Sequence, residues 1–164
     1  MNKRLSCFSR RFSVLAFFLF TLSLSLTTKA QIPGKESISL DKPNLWTTKD
    51  LIQPAELAAI LTNKKKTRPA IFNIGVVEDI EGSQRLGPAS KNDNLVVLKD
   101  RLSKLPKSSA IVIYCGCCPF DKCPNIRPAF ALMKEMGFVN GKLLNIPVNI
   151  KQNWISKGYP MLSK

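Results

Sequence analysis

Four cysteines, Cys115, Cys117, Cys118 and Cys123, fall within nine consecutive residues of a 164-residue chain that contains no histidine. Without imidazole there is no Ser-His-Asp or Cys-His catalysis and no histidine-ligated zinc or haem. Sulfur, carboxylates, Lys and Tyr must carry any chemistry. Disulfide frameworks of exported proteins scatter their cysteines to join distant segments. Four thiols in one loop cannot do that, so the cluster points to reactivity or to ligand binding. Cys115-Gly116-Cys117-Cys118 holds both a Cys-x-x-Cys and a Cys-x-Cys spacing, and Cys123 follows Cys118 by five residues. Soft thiolates so spaced suit Cu(I), and less readily zinc, or they cycle between dithiol and disulfide. Adjacent Cys117 and Cys118 would bond to each other only under strain, which leaves Cys115–Cys118 and Cys118–Cys123 as the expected pairs.

A reactive loop must be held by regular elements, and the residues on either side supply them. Ala110-Ile111-Val112-Ile113-Tyr114 is an apolar, β-branched run that predicts a buried strand ending just before Cys115. Pro128 to Met136 predicts a helix with Ala129, Leu132, Met133 and Met136 inward. A strand-loop-helix unit places its loop at the carboxyl edge of the sheet, where open α/β sheets bind ligands. The helix start offers free amides and partial positive charge, which favour a thiolate, and Arg127 and Lys122 add to it. Cys115, the first residue past the strand, is therefore the expected nucleophile. Asn125 is placed to cap the helix through its side-chain oxygen.

Elsewhere, residues 70–77 (AIFNIGVV) predict a second buried strand, and residues 143–146 a third. Pro54 to Leu61 predicts a helix with Pro in its first turn. Leu95, Leu98, Leu102 and Leu105 mark the stripe of another, and residues 149–157 a last one with Ile150 and Trp154 one turn apart. Residues 78–93 are polar and rich in Gly and Pro, hence a loop. Strands alternating with helices imply an α/β domain with a central, mostly parallel sheet flanked by helices. Trp154 and Tyr159 are expected to pack rather than to bind.

Ile111-Val112-Ile113-Tyr114-Cys115, the helix end Met136-Gly137-Phe138, and Trp154 to Pro160 (WISKGYP) resemble, in order and spacing, a rhodanese-like sulfurtransferase domain across about residues 45–163. The resemblance implies a single α/β domain whose active-site cysteine, here Cys115, takes sulfane sulfur from a small donor as a persulfide and passes it to a thiol acceptor. It also implies that backbone amides of the loop, Gly116 among them, cradle the anionic donor together with Lys122 and Arg127. The loop is longer than the family's Cys-x-x-Gly-x-Arg form: its fourth and sixth positions are Cys118 and Phe120, and the first arginine is Arg127. Asn73-Ile74-Gly75 stands where the family carries Asp-Val-Arg, so both charges are gone. The extra thiols Cys117, Cys118 and Cys123 are the candidates for a redox or metal-binding role, including an exchange with a periplasmic redox partner.

The N-terminus carries basic residues at Lys3, Arg4, Arg10 and Arg11, then the thirteen-residue apolar run Val14–Leu26, then Thr28-Lys29-Ala30. This is the pattern of a secretory signal peptide spanning residues 1–30, too short in its apolar part to cross a bilayer. The expected mature protein is exported, periplasmic or secreted, without an integral span, and residues 31–44 form a linker. Five of the 25 basic residues and no acidic residue leave with residues 1–30, so the remainder carries +9. The excess is dispersed and lacks interleaved aromatics, which argues for solubility and against nucleic acid as a partner.

Overall fold

A computed structural model describes residues 45–163. The expected signal peptide (1–30) and linker (31–44) lie outside the described residues. Five strands, β1 (Leu51–Ile52), β2 (Ala70–Asn73), β3 (Ser83–Arg85), β4 (Ile111–Tyr114) and β5 (Gly141–Leu144), form one sheet in the order β1-β5-β4-β2-β3. Every pairing is parallel. Four helices, α1 (Pro54–Thr62), α2 (Asn92–Ser103), α3 (Ile126–Glu135) and α4 (Ile150–Asn153), connect and flank the strands.

A parallel sheet covered on both faces needs strands that are apolar on both faces, and β4 is buried along its whole length. Its side chains alternate between two cores. Ile111 and Ile113 join Phe72, Leu98, Leu102, Phe130 and Met133 beneath α2 and α3. Val112 and Tyr114 join Leu57, Leu61, Ile150 and Trp154 beneath α1 and α4. By the same period-two alternation Cys115 falls on the α2/α3 side.

Several expected boundaries move, and the strand expected over 143–146 lies at Gly141–Leu144. The strand expected over 70–77 stops at Asn73. The Asn73 side chain accepts from the Gly75 N–H at 3.0 Å and donates to the Val77 carbonyl at 2.9 Å, a turn that competes with further strand. The 78–93 loop contains β3, a polar edge strand with no apolar signature to reveal it. Helix α3 begins at Ile126, two residues before Pro128. The helix expected over 149–157 is α4 followed by a 3-10 turn, Ile155–Lys157, while Ile150 and Trp154 are both buried as expected. Trp154 donates its indole N–H to the Pro160 carbonyl and meets Tyr159 edge-on, a packing role for both rings.

Tyr114 ties the sheet's carboxyl edge together. Its hydroxyl accepts the Ile80 N–H at 3.0 Å, shares a proton with the Ser83 hydroxyl at 3.1 Å and donates to the Glu78 carbonyl. Burial pushes this phenol up to about 12, so it stays neutral and serves as a fixed staple for the loop after β2.

Candidate functional site: a cysteine-rich loop

The parallel strands all end at one edge, and β4, the middle strand of the five, delivers Cys115 to it. Cys115 continues the alternation of the strand and therefore enters the α2/α3 core, leaving it 1% exposed. The chain then turns at Gly116, whose φ of +76° suits glycine. A side chain there would also lie 2.9 Å from Ile150 Cβ and 3.3 Å from Val77 Cγ2. The Gly116 carbonyl accepts the Ile150 N–H at 2.8 Å, so this residue fastens the loop to α4. Beyond it, Cys117 is exposed, Cys118 half-buried and Cys123 buried. Phe120, on a 3-10 turn over Phe120–Lys122, lays its ring 5.6 Å from that of Trp46 and donates its N–H to the Ile146 carbonyl at 3.1 Å.

Four groups surround the sulfur of Cys115. The Asn125 Nδ2 lies 3.2 Å away and the Cys117 Sγ 3.3 Å. The Cys123 thiol and the Cys117 backbone N–H also donate to it. On the remaining side the loop after β2 presses close: a Cβ on Gly75 would stand 2.8 Å from Cys115 Sγ and 2.7 Å from its carbonyl oxygen. The loss of a side chain at Gly75 is what lets the two loops touch.

These donors decide the charge. The Cys123 thiol contributes most, then the Asn125 amide and the Cys117 backbone and thiol; together they outweigh burial and bring Cys115 down to about 5 from an ordinary 9.0. The neighbours move the other way. Cys123 is raised because its proton is held by Cys115 and because it is buried. Partial loss of solvent around its sulfur, although the residue as a whole is exposed, then the contacts with Cys115 and Cys118, push Cys117 up to about 12. The cluster is thus one thiolate solvated by protons of two thiols and an amide. All four thiols are free.

The arrangement corrects two expectations. Asn125 has helical backbone angles (φ −80°, ψ −30°) and makes no capping bond. Its Oδ1 accepts the Ser90 N–H at 2.9 Å, which turns Nδ2 toward Cys115. The free backbone amide at this helix start instead reaches Cys123. The sulfurs close to Cys115 are those of Cys117 and Cys123, while Cys118 touches Cys117 at 3.4 Å. Lys122 is exposed on the 3-10 turn, and Arg127 is half-buried with its guanidinium carbon 5.3 Å over the Trp46 ring. Gly75 and Ser90, which no sequence pattern marks, complete the site together with Asn125, which the sequence marks only as a helix cap.

The sulfurs of Cys115, Cys117 and Cys123 lie within 4.8 Å of one another, so this trio can hold a metal ion. A three-coordinate thiolate site with metal–sulfur bonds of about 2.3 Å sets its sulfurs about 4 Å apart, a spacing comparable with the one seen here. Among the described residues no helix is long and apolar enough to cross a membrane. No protein-family model matches the chain, and no curated protein matches it significantly.

Proposed function

We propose that this chain is an exported, rhodanese-like sulfur carrier in which Cys115 holds sulfane sulfur as a persulfide. The observation that carries the reading is the buried Cys115 sulfur at the end of the central strand, held as thiolate by Asn125 and two neighbouring thiols. An ionised sulfur is the attacking species in sulfur chemistry, and one depressed to about 5 is ionised at neutral pH. In the reaction the thiolate bonds to the outer sulfur of a donor such as thiosulfate. The donor's own S–S bond breaks, and its electron pair departs on sulfite or on a thiolate. An acceptor thiolate then attacks the terminal sulfur, and the pair of the breaking S–S bond returns to Cys115. The second leaving anion, the Cys115 thiolate, forms among donors already in place, namely the Asn125 amide, the Cys117 N–H and the Cys123 thiol. Lys122 and Arg127 supply positive charge on the same loop and helix start. The experiment is peptide mapping of the reduced protein after incubation with thiosulfate: Cys115 gains the mass of one sulfur atom. Reduced protein that takes up no sulfur at any of the four cysteines defeats the proposal.

A second reading is favoured by the three sulfurs within 4.8 Å of one another. Soft thiolates of that number suit Cu(I), and Cys115, Cys117 and Cys123 would be its ligands. Anaerobic titration with Cu(I) against a competing chelator should show one tightly held ion. Equal capture by a variant with these three cysteines changed to Ser excludes it.

A further inference from the structure

Cys115 is enclosed and Cys117 is exposed, yet their sulfurs are 3.3 Å apart. A solution donor meets Cys117 first. Cys118, half-buried, touches Cys117 at 3.4 Å and packs against the core. Gly75 closes the approach to Cys115 from the β2 side, and Asn125 closes it from the start of α3. The geometry points to Cys117 as the port of the site: a relay thiol that takes sulfane sulfur from the solvent side, hands it inward to Cys115 and carries it out again.

This inference rests on the sulfur-carrier reading above and adds the route. Cys117 and Cys115 lie within proton-transfer reach of each other, so Cys115 can serve as the base. As the Cys117 sulfur bonds to the donor's sulfane atom, its proton passes across the 3.3 Å contact to the Cys115 thiolate. The donor's S–S bond breaks, the electron pair leaves with sulfite or thiolate, and Cys117 carries the persulfide anion while Cys115 is a neutral thiol. In the second step the Cys115 sulfur bonds to the sulfane atom. The bond from that atom to Cys117 breaks, and the proton returns to Cys117. One S–S bond forms and one breaks in each step, so no outside oxidant or reductant is needed. The persulfide ends where the donors are, beside Asn125 and Cys123.

The test is a rapid-quench loading experiment on the reduced protein with inorganic thiosulfate, and separately with glutathione persulfide, each trapped by alkylation and mapped by mass. Wild type should show sulfur on Cys117 before Cys115. Cys117→Ser keeps a hydroxyl able to donate to Cys115, so it preserves the thiolate; it should slow the loading of Cys115 on the order of tenfold or more. Cys118→Ser should change the rate by less than about twofold, since Cys118 does not touch Cys115. Cys115→Ser removes the proton acceptor as well as the destination, so it should load sulfur on Cys117 on the order of tenfold or more slowly than wild type does. Loading of Cys115 at the wild-type rate in Cys117→Ser overturns the relay and leaves the Cys115 carrier intact, as does a slowing confined to Cys118→Ser. Wild type that never gains sulfur overturns both.

Discussion

The side-chain amide of Asn125 is held at both ends: its oxygen accepts the Ser90 N–H at 2.9 Å and its nitrogen faces the Cys115 sulfur at 3.2 Å. Since a backbone N–H can only donate, the amide cannot turn over, and the donor aimed at the thiolate is fixed before any substrate arrives. The loop before α2 and the loop after β4 are joined through this one buried side chain.

Asn125→Asp keeps the acceptor for Ser90 but replaces the donor with a negative charge against the thiolate. Cys115 should then titrate higher by roughly one to three pH units, because a like charge disfavours ionisation. The ultraviolet absorbance of the thiolate followed against pH measures this directly. An unchanged midpoint would show that Asn125 has no electrostatic part in the site.

The thiol shifts give stability a definite pH profile. Cys115 is depressed in the folded protein to about 5 from 9.0. Between these values the unfolded chain binds a proton that the folded one lacks. Stability from this group is therefore full above about 9 and is lost as pH falls toward 5. Cys117 and Cys123 are raised, so above about 9 the folded state keeps protons that the unfolded chain releases, and stability declines again. Denaturant midpoints under reducing conditions should peak near pH 9, and Cys115→Ser should flatten the acid side.

Gly75→Ala places a methyl group 2.8 Å from the Cys115 sulfur and 2.7 Å from the Cys115 backbone carbonyl oxygen, so the backbone must shift. Overpacking of this kind costs about 1–3 kcal/mol. Unlike a remote core change, it should also slow alkylation of Cys115, because the sulfur must leave its donors. A loss of stability with normal Cys115 reactivity would contradict the close packing described here.

Tyr114→Phe removes the acceptor of the Ile80 N–H, and Ile80 is completely buried. The orphaned donor predicts a loss of about 1–3 kcal/mol in chemical denaturation. Because Tyr114 points to the opposite face of the sheet from Cys115, thiolate titration should be unaffected.

The strands β2, β4 and β5 and all four helices were legible because each carries a run or stripe of apolar side chains that only burial explains. The elements that were not legible, β1 and β3, are short edge strands: Leu51–Ile52 is two residues long, and Ser83–Arg85 is polar throughout. Edge strands bury little and so leave little trace. The same division holds at the site. Cys115 could be placed at the sheet edge from the strand before it. Its enclosure and its contact with Cys117 depend on a turn at Gly116 and on a loop some forty residues earlier in the chain, which no local pattern encodes. Asn125 looked like a cap because Asn commonly is one; its helical backbone angles turned the side chain elsewhere.

The ring of Phe120, on the turn between Cys118 and Cys123, leans on Trp46, while the chain's other indole, Trp154, is sealed in the opposite core. The molecule therefore carries its own optical gauge. Ligation, oxidation or sulfuration that shifts the cysteine segment alters the surroundings of one fluorophore and spares the other, so occupancy of the thiols can be followed in real time without a label.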